Sequence, residues 1–457
     1  MENNAFIRKF ETVGYKIANN FYLSTIRDAF IAIMPLILAG SFGVLMANVV
    51  CSPTTGLAQF NGFGWLAQFQ GLFNGINNAS TNFIAIYTVF MIGMIHARKL
   101  KSDSPFMAGL VNIMCYVVLA PMAMNVVAPE SGEEFVVNSV LAQRFTNAQG
   151  LFVAIIVGMI TVTMFEKIVQ SGKLNIKMPD TVPPMIAKSF EVSIPATVVV
   201  TFWAVAGYLI TELLGMTIFD AIYTSLQGPL ERIMQHPAGV ILIVIIAQLF
   251  WTLGIHGAQL VGIVTNPVGL AAITQNIENF EAGLPMTNIF TGPFWSAFAT
   301  IGGSGSTLGL IIAILLFSKR KEARTISKIS IAPALFNINE PMIFGVPLVM
   351  NPIFAIPFIL GPAISVSIAL FSAHIGFASP AFIILPWTTP PLMNSFLSTG
   401  GHLGTMITQV ICLAVLVLIY IPFVKVHNTM AARDEAQEAL EQAQIDAAIN
   451  SAAPEAK

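Results

Sequence analysis

The chain has 457 residues, 55% of them apolar and only 10% charged, with a mean hydropathy of +0.77. An ordinary soluble domain carries roughly 25% charged residues, so this composition excludes a soluble globular enzyme and specifies a polytopic membrane protein. The formal net charge of -2 hides an asymmetric placement of charges and by itself says nothing about partners, of which nucleic acid is not expected to be one, and Cys51, Cys115 and Cys412 are too few and too scattered for a disulfide framework or a zinc site.

Residues 1–28 hold Glu2, Arg8, Lys9, Glu11, Lys16, Arg27 and Asp28 ahead of the first long apolar run, without a compact apolar core ending in a cleavage site. They are expected to be a cytoplasmic lead-in, not a removed signal peptide. Apolar segments near the roughly 20 residues needed to span a bilayer follow at 29–50, 80–96, 105–127, 148–170 and 190–214. Basic residues orient them. Arg8, Lys9, Lys16 and Arg27 precede the first, Arg98, Lys99 and Lys101 separate the second and third, and Lys167, Lys173, Lys177 and Lys188 separate the fourth and fifth. The connection 51–79 has no basic residue, and the third connection has only Arg144 beside Glu130, Glu133 and Glu134. The positive-inside rule then puts the N-terminus in the cytoplasm and has residues 1–214 cross five times.

Residues 215–236 change character. Phe219, Ile222, Tyr223, Leu226, Leu230, Ile233 and Met234 share one helical face, with Asp220, Ser225, Gln227, Glu231 and Arg232 opposite. The pattern predicts an amphipathic connector, broken near Gly228-Pro229, that lies along the interface and joins two halves. An external loop that is periodic by chance is the plainer alternative.

The second half, 237–424, is less regular. A span at 238–255 runs into G-I-H-G (Gly254 to Gly257), then a polar stretch with Asn266-Pro267, Gln275, Asn276 and Asn279, then P-M-T-N-I-F-T-G-P-F-W (Pro285 to Trp295) and a Gly/Ser run from Gly302 to Gly309. The cluster Lys319, Arg320, Lys321, Arg324 and Lys328 should be cytoplasmic, so the chain between Gly257 and Ser318 must enter the membrane and return, as a re-entrant hairpin or as two short crossings. Phe336 to Pro352, F-N-I-N-E-P-M-I-F-G-V-P-L-V-M-N-P, places one carboxylate, three amides and three prolines in an apolar setting. Such interrupted backbone is tolerated at membrane depth only where it is buried in protein or lines a cavity. Spans at 353–373 and 404–424 flank a Pro-rich segment at 380–396, and Lys425 and Arg433 put the C-terminus in the cytoplasm. The fold class is therefore an all-α polytopic membrane protein of about ten transmembrane helices, one or two of them hairpins. Its tail, 425–457, suits a solvated helix.

Glu340 is the only acid between Glu322 and Asp434. A carboxylate there is a functional hypothesis by default: expected to be buried, it would suit base work, and the structural alternative is a cap for amides freed by the prolines. His256, between glycines that permit close approach, is either a capped helix end or a ligand contact. The Gly302–Thr307 run offers backbone donors to a phosphate or small residues to a helix contact, but lacks the lysine of a nucleotide-binding loop. Trp387, with Asn394 following on the same face, is either a sugar platform or an interfacial anchor. Asn337 and Asn339 are sugar contacts or caps of a broken helix.

Taken together, G-I-H-G at 254–257, T-G-P-F-W at 291–295, G-G-S-G-S-T-L at 302–308, N-I-N-E-P-M-I-F-G-V-P at 337–347 with N-P at 351–352, and P-W-T-T-P-P at 386–391 resemble the membrane component, enzyme IIC, of the bacterial sugar phosphotransferase system in its lactose/cellobiose/diacetylchitobiose branch. The resemblance implies a homodimer in the bacterial cell membrane, with the first five spans at the dimer interface and the second half holding a disaccharide between two hairpins. It implies phosphorylation of the sugar at a C6 hydroxyl by a phosphocysteine on enzyme IIB, itself charged through IIA and HPr. Carried over by position, Glu340 is the base and His256 its polar partner; Thr291, Gly257, Asn337, Asn339, Trp387, Asn394 and, from the first half, Gln149 are candidate sugar contacts. The partners implied are the sugar, IIB and lipid, with neither cofactor nor metal. A rival from the residues alone is an ion-coupled secondary transporter in which Glu340 carries a proton and nothing is phosphorylated. A receptor without transport would need an output domain that the short tail does not supply.

Overall fold

The computed structural model describes residues 20–54, 56–127, 134–179, 181–346, 348–349 and 351–452. Arg8, Lys9, Lys16, Glu130, Glu133, Pro347 and the last residues of the tail lie outside them. Among the described residues eight helices are long and apolar enough to cross a bilayer. A ninth arises if Ile218–Gln235 and Pro237–Thr252, bent by 88° at their junction, count as one span.

The first half opens with α1 (Phe21–Leu45), which starts where Asn20 Oδ1 accepts the N–H groups of Tyr22 and Leu23. It packs against α2 (Gln70–Ser80) and α3 (Ile84–Lys99). The expected span at 105–127 is corrected: α4 (Pro105–Val117) has 13 residues, about 20 Å at 1.5 Å per residue, short of a roughly 30 Å hydrocarbon core. Beyond it Pro121 offers no backbone donor, and Ala123–Val127 becomes β1, paired antiparallel with β2 (Glu134–Asn138). Valine-rich Asn125–Val127 and Phe135–Val137 suit a pleated ribbon better than a helix. Helices α5 (Leu151–Ser171), α6 (Pro184–Glu191) and α7 (Ser193–Leu214) follow. Inside this half Asn112 is fully buried and its Nδ2 donates to the carbonyls of Val89 at 3.0 Å and Gly158 at 3.2 Å, a polar bridge between three helices.

The connector is a short helix Ile218–Ile222, a widened turn Tyr223–Gln227 and α8 (Gly228–Gln235), with Pro229 at the start of α8. The expected break near Gly228-Pro229 is corrected: Gly228 keeps right-handed helical dihedrals, the helix runs on from Ile218 to Gln235 with the widened turn making room for the Pro229 ring, and the break comes at His236-Pro237. Phe219 and Met234 are buried, Tyr223, Leu226 and Ile233 are exposed, and Ile222 packs against the cores of both halves. The right-angle bend into α9 (Pro237–Thr252) follows from Pro237, which cannot continue the hydrogen-bond ladder of α8.

In the second half α10 (Gly257–Glu281) is long and apolar enough to span, a short extended stretch follows it, and the candidate span Gly292–Phe317 is interrupted: a helical turn to Ala299, a loop through Ser306, then α11 (Thr307–Phe317). The region 257–318 therefore enters and leaves as two spans, one of them broken. Helix α12 (Lys321–Leu335) carries the basic cluster. The six-residue α13 (Glu340–Gly345) interrupts the chain before α14 (Pro352–His374), and 377–392 is largely non-helical. The last helix, α15 (Leu403–Ala452), has 50 residues and runs without a break into the tail.

Candidate functional site

Two interrupted segments meet in the second half and are tied by amides. Asn337, held at φ 60°, presents Oδ1 to the N–H of Gly302 at 2.9 Å and donates from Nδ2 to the Trp387 carbonyl at 2.6 Å. Asn339 donates to the Ser304 carbonyl at 2.6 Å. Gln248 Oε1 accepts the N–H of Gly305 at 2.8 Å, and the Tyr420 hydroxyl donates to the Gly305 carbonyl at 2.6 Å. Each of these bonds answers a backbone group that the broken helices leave open where water is absent.

The same bonds decide the role of the Gly302–Ser306 loop. The N–H groups of Gly302, Gly303, Gly305 and Ser306 go to Asn337, the Thr300 carbonyl, Gln248 and the Gly303 carbonyl respectively. No row of free donors is left to cradle a phosphate. The glycines are there for approach: Gly303 and Gly305 have φ of 98° and 72°, and a side chain on either would collide with Asn339 or the Phe358 ring.

Around this scaffold lies a cavity of about 690 Å³, inside the roughly 300–1,000 Å³ range of ligand sites. Glu340 and His256 both line it, as do Asn337, Asn339, Thr291 and Trp387. Glu340 is exposed to the cavity and not buried as expected. Glu340 is the first residue of α13, followed by Pro341, and no side-chain hydrogen bond caps that helix; the carboxylate lines the cavity instead. His256 is the residue before α10; its Nδ1 accepts the N–H of Gln259 at 3.3 Å, and its ring lies 4.5 Å from the Trp251 ring. An accepting Nδ1 in a neutral ring leaves the proton on Nε2, which is then the donor the ring can offer. Glu340 and this imidazole line the same cavity. Trp387 is half exposed, 51%, with its carbonyl held by Asn337, so a large aromatic face is available.

Three expected contacts stand elsewhere. Gly257 is not in the lining: a side chain there would run into the Ala247 carbonyl of α9, so it is a close-approach residue between α9 and α10. Asn394 is buried behind the wall and donates to Ser296 Oγ at 2.9 Å, Ser296 being the residue that lines the cavity. Gln149 donates to Glu278 Oε2 at 3.2 Å, beside Asn147 on Oε1 at 2.9 Å, and is not a lining residue. Thr291 lines the cavity while its Oγ1 caps the turn at Phe294.

The wall that sequence reasoning missed is α1. Arg27, Phe30, Ile31, Met34 and Leu38 all line the cavity. Arg27, Ile31, Met34 and Leu38 follow the i, i+4, i+7, i+11 spacing of one helix face, a signal available in the sequence. It could not be used because an apolar face turned to lipid and one turned to a cavity are written alike.

The family model for the phosphotransferase system, EIIC, matches residues 27–362. The chain is 32% identical over 435 residues to the lichenan permease IIC component of Bacillus subtilis (strain 168), covering 95% of each. It is 32% identical over 445 residues to the cellobiose-specific EIIC component of Geobacillus stearothermophilus, covering 94% of this chain and 96% of that one. Among solved structures it resembles the transporter ChbC, the IIC component from the N,N'-diacetylchitobiose-specific phosphotransferase system, with a TM-score of 0.86 and 31% identity over 94% of this chain and 99% of that one.

Proposed function

The chain belongs to the phosphotransferase system EIIC family and is a multi-pass membrane protein, and from that premise we propose that it carries a β-linked disaccharide of the cellobiose or diacetylchitobiose type inward and presents it for phosphorylation by enzyme IIB. The observation that carries this reading is the shared cavity: one carboxylate, one imidazole and one exposed indole in a space of sugar size.

In the proposed reaction the C6 hydroxyl oxygen attacks the phosphorus of the IIB phosphocysteine, Glu340 takes the hydroxyl proton, the P–S bond breaks and the thiolate leaves. His256 donates from Nε2 to the sugar or to a phosphoryl oxygen. Trp387 offers its face to a sugar ring, and Asn337, Asn339 and Thr291 hold the walls rather than reach for the ligand. The burial of Cys51, Cys115 and Cys412 supports a carrier cysteine on IIB, charged in turn through IIA and HPr. We assign residues 1–214 as scaffold and dimer half, 215–236 as connector, 237–424 as transport half and 425–457 as tail. The apolar window of Ile186–Leu214, only 17% buried, supports a face for a second copy. The basic residues bordering the spans support cytoplasmic termini in a bacterial cell membrane.

Vesicles loaded with phosphoenolpyruvate and the soluble carriers test the reading. Cellobiose or diacetylchitobiose should collect inside as the phosphate ester and be indifferent to an uncoupler. Unmodified sugar inside, lost on adding the uncoupler, would instead establish ion-coupled transport.

A further inference from the structure

Among the described residues lining the cavity, the ionisable side chains are Glu340, His256 and Arg27. Arg27 is the only guanidinium or ammonium in the lining, and it comes from the first half, on α1, whereas Glu340 and His256 come from the second. Its charge is not cancelled locally. Arg27 Nε and Nη2 both donate to Asp28 Oδ1, at 3.1 and 3.0 Å. Lys99 Nζ holds the other oxygen, Asp28 Oδ2, at 2.8 Å and Ser24 Oγ at 2.8 Å. Two cations thus share one carboxylate, and the cluster keeps one net positive charge. Among the described residues no hydrogen bond runs from Arg27 Nη1.

We propose that Arg27 is the anion-binding residue of the phosphoryl-transfer step, reaching the oxygens of the group in flight with Nη1 while Asp28 and Lys99 fix the rest of its side chain. The inference rests on the proposed IIB-dependent reaction and deepens it. A phosphoryl group brings negative charge on its equatorial oxygens toward a site that already holds the Glu340 carboxylate, and transfer of this kind depends mainly on positioning and countercharge. The second half has no lysine or arginine in the cavity to supply it. A guanidinium from the first half does, and Asp28 pre-orients it, so less freedom is lost when the anion arrives. Because Arg27 comes from α1 and Glu340 from α13, the reaction is complete only where the two halves meet. Phosphorylation is thereby confined to one position of the transport half.

The test uses the full chain in membranes, with phosphorylated IIB as donor and radiolabelled cellobiose or diacetylchitobiose as acceptor, reading phosphorylation turnover and, without donor, sugar binding. Arg27→Gln should lose about 100-fold or more in turnover, the scale of a missing arginine clamp, while the sugar dissociation constant stays within about threefold. Arg27→Lys should recover part of the turnover. Asp28→Asn, which releases the guanidinium but leaves it in place, should cost less than Arg27→Gln. Wild-type turnover in Arg27→Gln overturns the proposal, and so does a loss of sugar binding in step with turnover, or equal losses in Arg27→Gln and Asp28→Asn, either of which marks a packing role. If the unmodified chain phosphorylates no sugar, the reaction itself is wrong and the role of Arg27 falls with it.

Discussion

Glu340 and Asn337 lie three positions apart in one motif and take opposite parts. The carboxylate meets the cavity, whereas both ends of the amide are bonded to backbone of two other segments. Glu340→Gln should therefore keep sugar affinity within a few-fold and lose about 100-fold or more in phosphorylation, the range of a general base; parallel loss of the two in a binding and turnover assay would remove it from the chemistry. Asn337→Ala is expected to act on folding. It leaves the Gly302 N–H unpaired and puts a Cβ residue without a polar side chain at φ 60°, together about 2–4 kcal/mol. A fall in thermal midpoint of the detergent-solubilised protein checks it, and an unchanged midpoint with weakened sugar binding would make Asn337 a sugar contact after all. From sequence, Glu340 stood out because an isolated acid among apolar residues has few uses. The amides did not resolve, since an asparagine that bonds a ligand and one that bonds backbone are the same letter, and the N–H and carbonyl that Asn337 meets lie 35 and 50 residues away.

The broken elements were legible as breaks, because proline and glycine act locally, but their partners were not. Pro237 and the Gly302–Ser306 run fall where the helices stop, whereas Pro229 is absorbed by the widened turn Tyr223–Gln227 before it. The reach of Gln248 and Tyr420 to Gly305 is a tertiary matter that no periodicity reports. The 105–127 error has the same origin: hydropathy measures how apolar a segment is and not whether Pro121 and a later valine-rich strand will turn its end into a hairpin. The glycines allow a comparison between two loops. Gly305→Ala adds a Cβ against Phe358 at φ 72°, whereas Gly376 has φ 75° and nothing within 4 Å. Gly376→Ala should cost only the backbone term, about 1–2 kcal/mol, and Gly305→Ala about 1–3 kcal/mol more for overpacking. Thermal unfolding of the two variants separates the contributions; equal losses would mean that Phe358 gives way freely.

At the scale of the molecule, the halves touch through more than the connector. Glu278, near the end of α10, accepts from Asn147 and Gln149, which lead into α5. If the proposed transport half moves relative to the proposed scaffold half, this clamp has to open. Charge-assisted hydrogen bonds contribute about 1.5–3 kcal/mol each, so Glu278→Ala should change sugar uptake by about tenfold or more and leave phosphorylation of sugar supplied on the IIB side within about twofold. Vesicles of both orientations supply the two rates, and equal changes in both would show that the clamp holds the fold and not the position. The shared wall has a thermodynamic meaning as well. A ligand that touched only the transport half would bind it equally in every position and bias none of them, because a binding partner shifts an equilibrium only by the difference in its affinities. Since Phe30, Met34 and Leu38 of α1 line the cavity from the other half, a sugar bound there would lose those contacts if the halves parted. Under the proposed transport cycle the apolar side chains of this one helix would set the free-energy difference between the loaded protein's two positions, and trimming Met34 or Leu38 would loosen the link between occupancy and movement without touching a polar group.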